Sequence, residues 1–256
     1  MVRGLDEFSR FFEGFEDRFV LIGGAACDLW ITKASLHARA TKDLDLVLVV
    51  EAVDAAFAER FWAFIRAGRY KAAEVANGAR HFYRFSKPED ERFPVMLELF
   101  SRRPDVIPMM EGSHLVPVPV EGDVSSLSAI LLDDDAYRFI LEHRSREDGI
   151  DLLRPEGLIP LKAKAFVELT ARREEGENVD GHDIAKHKND IARLALILTG
   201  EESITLPASL RDAMRVIVEL LQSDDFDWRS LARGLGLVAP IKGERVVQLL
   251  RNMYHL

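Results

Sequence analysis

Asp43-Leu44-Asp45 opens an apolar run, Leu46 to Val50, and this short stretch limits the fold more than any other. Side chains alternate across a strand, so Asp43 and Asp45 share one face. The run behind them is apolar on both faces, as in a central strand covered on both sides. Two carboxylates at the mouth of such a strand cannot both stay ionised without positive charge between them. A divalent cation meets that need, and hard oxygen ligands suit magnesium, which commonly holds a phosphate as well. Upstream, Phe19 to Ile22 reads as a short strand, Gly23-Gly24 as a turn and Ala25 to Lys33 as a helix. A glycine turn feeding a helix N-terminus presents free backbone N–H groups to an anion. Paired glycines also make plain tight turns. Their place upstream of the acidic pair is what suggests a phosphate site beside a metal site.

Periodicity organises the rest. Phe8, Phe11, Phe12 and Phe15 recur at helical spacing, which predicts an amphipathic N-terminal helix docked on the body. Residues 52 to 67 carry a second stripe, Phe57, Phe61, Phe64 and Ile65, that reads as core. His81 to Phe85 and Pro94 to Phe100 read as two strands around a polar turn. In the second, Val95, Leu97 and Leu99 share one face; Met96, Glu98 and Phe100 share the other. Glu98 is a lone carboxylate between apolar neighbours, costly to bury without a partner. It reads either as a metal ligand or as a strand-edge carboxylate facing water or an arginine. Val116 to Val120 holds two prolines and suits an edge or extended connection. Val124 to Leu132 predicts a further strand. Asp133-Asp134-Asp135 suits a helix N-cap and first turn better than a metal site. Pro155 and Gly157 read as the break between a domain at 1–155 and a helical one at 156–256. In the second, helices are expected at Leu158–Arg173, Asp183–Leu198, Leu210–Gln222, Trp228–Leu235 and Glu244–Met253, with Gly200 as a stop.

The balance of 48% hydrophobic and 30% charged residues in 256 is that of a globular chain. A single cysteine, Cys27, excludes an intramolecular disulfide and points to a reducing compartment. Its apolar surroundings make it a core residue. The first 19 residues lack the apolar core of a signal peptide, and no stretch is long enough to span a bilayer. A cytoplasmic protein without a membrane partner is therefore expected. The net charge of −9 argues against broad nonspecific nucleic-acid binding. Lys162, Lys164, Arg172, Arg173, Lys186 and Lys188 still concentrate in one stretch and leave room for a local basic groove.

Gly23-Gly24-Ala25-Ala26, followed by Arg39, Thr41, Asp43 and Asp45, resembles the signature of the nucleotidyltransferase superfamily. It looks most like the AbiEii type, which includes bacterial phage-defence and toxin–antitoxin proteins. Tyr83 to Pro88, Leu97 to Phe100, Leu158 to Ala165 and Lys186 to Asp190 are similar to further segments of that group. The resemblance implies an α/β (α+β) fold: a nucleotidyltransferase-like mixed sheet with flanking helices, then a C-terminal helical bundle. It implies metal-dependent transfer of a nucleoside monophosphate from a nucleoside triphosphate to a hydroxyl on RNA or protein, with an antitoxin as a partner. Glu98 would join Asp43 and Asp45 as catalytic and metal-binding residues around two Mg2+ (or Mn2+) ions. Gly23, Gly24, Arg39, Thr41, Lys162, Lys186 and Asp190 would bind the nucleotide.

Helical geometry refines these roles. Lys162 and Lys164, two apart, face different ways. Lys162 is the one expected in the cleft, as an exposed side chain whose loss spares folding. Lys186 and Asp190, four apart, can pair on one face. His182 and His187, five apart, are poorly spaced for shared metal ligation and read as structural. Arg39 can pair with a carboxylate or face a phosphate. Gly24 stands where many members carry serine, and 18 residues separate it from Asp43, more than the commonest spacing. Two other readings stay open: a catalytically silent nucleotide-binding relative and a metal-dependent nuclease.

Overall fold

The computed structural model describes residues 2–49, 52, 54–72, 83–100, 134–224 and 226–256. The strands in chain order are β1 (Phe19–Ile22), β2 (Asp43–Leu48), β3 (Lys71–Ala72), β4 (Tyr83–Ser86), β5 (Met96–Phe100), β6 (Arg144–Glu147) and β7 (Ile150–Leu153). They form one mixed sheet in the order β3-β4-β5-β2-β1-β7-β6. The helices are α1 (Leu5–Phe11), α2 (Gly23–Lys33), α3 (Ala55–Gly68), α4 (Asp134–Glu142) and, after the sheet, α5 (Pro155–Glu174), α6 (Gly181–Ala195), α7 (Ala208–Gln222), α8 (Trp228–Gly234) and α9 (Gly243–Tyr254). This is the expected α/β class, a mixed sheet with flanking helices and a helical C-terminal part. No helix among the described residues is long and apolar enough to cross a membrane. The segments expected at Val116–Val120 and Val124–Leu132, and His81 at the start of another, lie outside the described residues.

The acidic strand sits at the centre because its apolar residues need cover on both faces. β2 pairs antiparallel with β1 and parallel with β5. Leu44, Leu46, Val47 and Leu48 are all fully buried. One face of the sheet is covered by α3, whose Asp54 N-cap accepts from Phe57 N at 2.8 Å. Phe61 of α3 meets Phe85 of β4 with ring centroids 5.3 Å apart. Both expected phenylalanine stripes meet on this side: Phe8 stacks on Phe12 at 4.4 Å and lies edge-on to Phe64 at 5.5 Å. Phe85 is opposite Leu97, and Leu97 is opposite Leu44. The residues one step along, Arg84, Glu98 and Asp45, therefore project from the other face.

Two local features depart from expectation. β6 and β7 form an antiparallel hairpin that is not among the elements expected from sequence. Its turn is Asp148-Gly149, with φ of 49° and 83°, the paired left-handed conformation of a tight hairpin turn. The first helix after the sheet starts at Pro155 and not at the expected Leu158, so Pro155 and Gly157 occupy the first turn of α5. Proline fits there because its missing N–H has no partner to lose. Gly157 lets the helix close on β7; an added Cβ would stand 2.5 Å from Leu153 Cδ1.

Pro160, inside α5, lacks the N–H that would bond the carbonyl of Glu156. The hydroxyl of Tyr254, buried at the end of α9, donates to that carbonyl at 2.8 Å. The last helix thus repairs a gap that proline leaves in the first helix after the sheet. Tyr254→Phe should cost about 1–3 kcal/mol by leaving the carbonyl unpaired. Urea denaturation of Tyr254→Phe in the native and Pro160→Ala backgrounds checks this. The loss should shrink in the Pro160→Ala background, where the substituted residue supplies an N–H. An equal loss in both backgrounds would contradict the pairing.

Candidate active site

The parallel register of β2 and β5 places Asp43 opposite Met96 and Asp45 opposite Glu98. The antiparallel register of β4 and β5 places Arg84 opposite Glu98. These side chains line the floor of a cavity of about 280 Å3, with Gly23, Gly24 and Thr41 beside them and Lys162, Lys186 and His187 on the opposing helical wall. All three predicted carboxylates therefore share one sheet face and one cavity. Burial pushes the Asp45 carboxyl up to about 7, with the charge of Glu98 and a hydrogen bond to it adding to the effect. Asp43 is raised by burial and by Glu98, while Lys186 opposes the shift. The three carboxylates of the floor face Arg84 from β4 and Lys186 from the helical wall.

Glu98 takes the alternative that its sequence context left open, a buried carboxylate held by an arginine. Arg84 Nε donates to Glu98 Oε1 at 2.6 Å and Nη2 approaches the same oxygen at 2.5 Å. This distinguishes the arrangement from a closed three-carboxylate cage. Among the described residues no three His, Cys, Asp or Glu side chains are disposed around a common ion. The donor chemistry still fits a hard divalent cation, because Asp43, Asp45 and Glu98 present carboxylate oxygens to one cavity.

The glycine turn is shaped around Asp45. α2 starts directly at Gly23, after Ile22, and has no side-chain N-cap. Gly24 N–H donates to Asp45 Oδ2 at 3.4 Å, so a carboxylate from the neighbouring strand serves the open helix end. Gly23 has φ of +65°, and a Cβ there would lie 1.8 Å from Asp45 Oδ2. Both the conformation and the contact require glycine. A Cβ on Gly24 would lie 3.0 Å from Thr41 Oγ1 and from Arg39 Nη2. The turn expected to cradle a phosphate thus already holds an anionic group at its cavity side.

Behind the helical wall lies a second polar centre. Asp190 of α6 is 2% exposed and accepts from four donors. Arg39 Nε and Nη2 reach its two oxygens at 3.1 Å each, Lys162 Nζ at 2.9 Å and Arg193 Nη1 at 3.3 Å. Despite burial, these cations hold the Asp190 carboxyl well below the usual carboxylate range. Arg39 and Asp190 are absent from the lining of the main cavity; with Cys27 they line a small void behind α2. Arg39 and Asp190, expected from sequence to bind the nucleotide, pair with each other, and Asp190 also holds Lys162. Asp190 pairs with Lys162, Arg39 and Arg193, while Lys186, one turn earlier, lines the cavity. Lys162 is 3% exposed, so the expectation of a dispensable, exposed lysine fails. Cys27 is the core residue expected, its thiol pushed up to about 12 by burial.

His187, read from sequence as structural, lines the cavity and is buried with Nδ1 lacking a hydrogen-bond partner. Burial pushes its pKa down to about 3, and the charges of Lys162 and Lys186 act in the same direction. Arg84 and Met96 are lining residues that no local pattern marks. Only strand register brings Arg84 to Glu98.

No protein-family model matches the sequence, nor does any curated protein. Two solved structures are similar at a distance. One is the crystal structure of an antigenic nucleotidyltransferase-like protein from Paracoccidioides brasiliensis, 16% identical, spanning 98% of this chain and 94% of that one at a TM-score of 0.43. The other, from H. pylori, is of a protein described provisionally as a nucleotidyltransferase, 13% identical, spanning 99% and 97% at a TM-score of 0.37. Likeness of this degree assigns neither family nor activity to the chain.

Two outcomes follow from the wall. Lys162→Ala should lower stability by about 3 kcal/mol, the low end for a broken buried pair, because Arg39 and Arg193 still hold Asp190. A chemical denaturation midpoint equal to the native one would contradict the buried pairing. For His187, the unfolded chain protonates below the ordinary value of 6.5 while the folded imidazole stays neutral to about 3. Folding is then opposed increasingly as pH falls through that window. Replacement by asparagine should remove up to about 1.4 kcal/mol per pH unit from the acid-side slope of stability. Parallel stability–pH profiles for the two proteins would refute the buried neutral histidine.

Proposed function

We propose that the cavity is the active site of a nucleotidyltransferase, transferring a nucleoside monophosphate from a nucleoside triphosphate to a hydroxyl on RNA or protein. The observation carrying this reading is the convergence of Asp43, Asp45 and Glu98 on one sheet face, opposite Lys162 and Lys186 across a single cavity. A triphosphate is the ligand that needs both walls. Its several negative charges suit the lysines, and a bridging cation reconciles it with the carboxylates.

Asp43, Asp45 and Glu98 would hold magnesium, which when bound polarises phosphoryl oxygens and neutralises the leaving group. Lys186, on the cavity wall, supplies charge to the phosphates. Lys162 does so from a fixed position, because Asp190 holds its ammonium. The acceptor hydroxyl oxygen forms a bond to the α-phosphorus, the bond to the β-bridging oxygen breaks and pyrophosphate leaves. A floor carboxylate takes the hydroxyl proton. Gly23 keeps the floor open, since any side chain there would collide with Asp45.

Incubation with each α-labelled nucleoside triphosphate, magnesium and cell extract tests the proposal. Label should pass to a macromolecule with the native protein and not with Asp43→Asn/Asp45→Asn. Equal labelling by the double variant would refute it, and magnesium-dependent cleavage of nucleic acid without labelling would point to a nuclease.

A further inference from the structure

The Arg84–Glu98 pair is more than a strand-edge ion pair. Arg84 stands opposite Glu98 in the β4–β5 register, and both line the cavity beside Asp45. The pairing is one-sided: both guanidinium nitrogens converge on Oε1, leaving the other carboxylate oxygen outside the fork. An arginine–carboxylate pair usually spreads two donors over two oxygens. Asp45 lies on the other flank of Glu98, close enough to hydrogen-bond with it. Glu98 thus lies between a cation that pairs with it and a second carboxyl whose pKa its charge raises. Both side chains line the cavity; Arg84 is the more exposed of the two, 23% against 6% for Glu98, and so has the more room to turn.

We infer that Arg84 is the resident counter-charge of Glu98, that a divalent cation competes with it for that carboxylate, and that the displaced guanidinium turns to the phosphates of the bound triphosphate. This rests on the proposed function and adds a positioning residue to it. A divalent cation on the free oxygen of Glu98 would stand beside the guanidinium held on Oε1, and the two positive charges repel. The guanidinium cannot then remain beside a divalent charge, and its planar fork matches a phosphate as well as a carboxylate. Cation and triphosphate binding become coupled: the first releases the group that the second needs. Arg84 also offsets the charge of Glu98 beside Asp45 until a cation takes over that duty.

The test measures binding rather than turnover, with Mn2+ alone and then tripolyphosphate as probes. Mn2+ affinity is read by electron paramagnetic resonance of the free ion, and tripolyphosphate affinity by calorimetry in saturating Mn2+. Arg84→Gln removes the competitor, so Mn2+ should bind about tenfold more tightly than to the native protein. Tripolyphosphate should bind less tightly to it by a similar factor. Arg84→Lys keeps the charge without the fork; it should restore native-like Mn2+ affinity and only part of the tripolyphosphate affinity. Since Arg84→Lys retains a partner for Glu98, it carries the test even where Arg84→Gln is poorly folded. Mn2+ or tripolyphosphate affinity unchanged by Arg84→Gln, or by Arg84→Lys relative to Arg84→Gln, would overturn the inference. Glu98→Gln separates the two levels of the account. If it binds Mn2+ as the native protein does, the cation site of the proposed function falls with the inference. If it loses Mn2+ while the Arg84 variants are unaffected, only the role of Arg84 falls.

Discussion

Asp45 and Glu98 stand opposite each other on parallel neighbouring strands, and two carboxylates in that position repel unless positive charge is brought to them. Much of the surrounding structure answers that demand. Gly24 offers a backbone N–H to Asp45, Arg84 crosses from β4 to Glu98, and Lys186 faces Asp43 from α6. Because β2 and β5 are anchored by fully buried leucines, the carboxylates cannot move apart without disrupting the sheet. The closeness of the two carboxyls is built into the fold, and either a proton on Asp45 or a ligand of opposite charge relieves their repulsion.

The second centre makes the opposing wall stiff. Asp190 ties α6 to α5 through Lys162 and to the segment before β2 through Arg39. A buried ion cluster of this kind contributes little net stability, since desolvation offsets attraction. What it fixes is position: Lys162, Arg39 and Arg193 are all held by one carboxylate that is fully surrounded. Lys162 therefore meets the cavity from a defined place, at low entropic cost to any ligand it touches. The Tyr254 bond to the Glu156 carbonyl acts on the same helix from the other side. α5 is a helix interrupted by proline and held in place by partners from α6 and α9.

What could be read from the sequence was what local pattern encodes. The acidic pair and its apolar run gave the central strand. The phenylalanine stripes gave α1 and α3, and the helical periods after residue 158 gave the C-terminal helices to within a few residues. The same-face placement of Asp43, Asp45 and Glu98 followed from alternation along two strands. The hairpin at Asp148-Gly149 is encoded locally too, in a turn dipeptide of the strongest kind. Hidden from sequence were pairings between distant residues. Arg39 and Asp190 are 151 positions apart, and Tyr254 and Glu156 are 98 apart. Strand register alone brings Arg84 to Glu98, and the burial of Lys162 depends on α6 packing against α5. Lysine and arginine look solvent-facing by composition, and only the fold shows that here they are enclosed.

The sheet carboxylates and the helical lysines are the two walls of one triphosphate site in the function proposed. A crystal structure with magnesium and a non-hydrolysable nucleoside triphosphate tests this most directly. Density for the triphosphate should lie in the cavity, with a cation on Asp43 and Asp45 and a phosphate within hydrogen-bonding distance of Lys162 or Lys186. A nucleotide bound elsewhere at full occupancy, with Arg84 still on Glu98 and the cavity open, would contradict it.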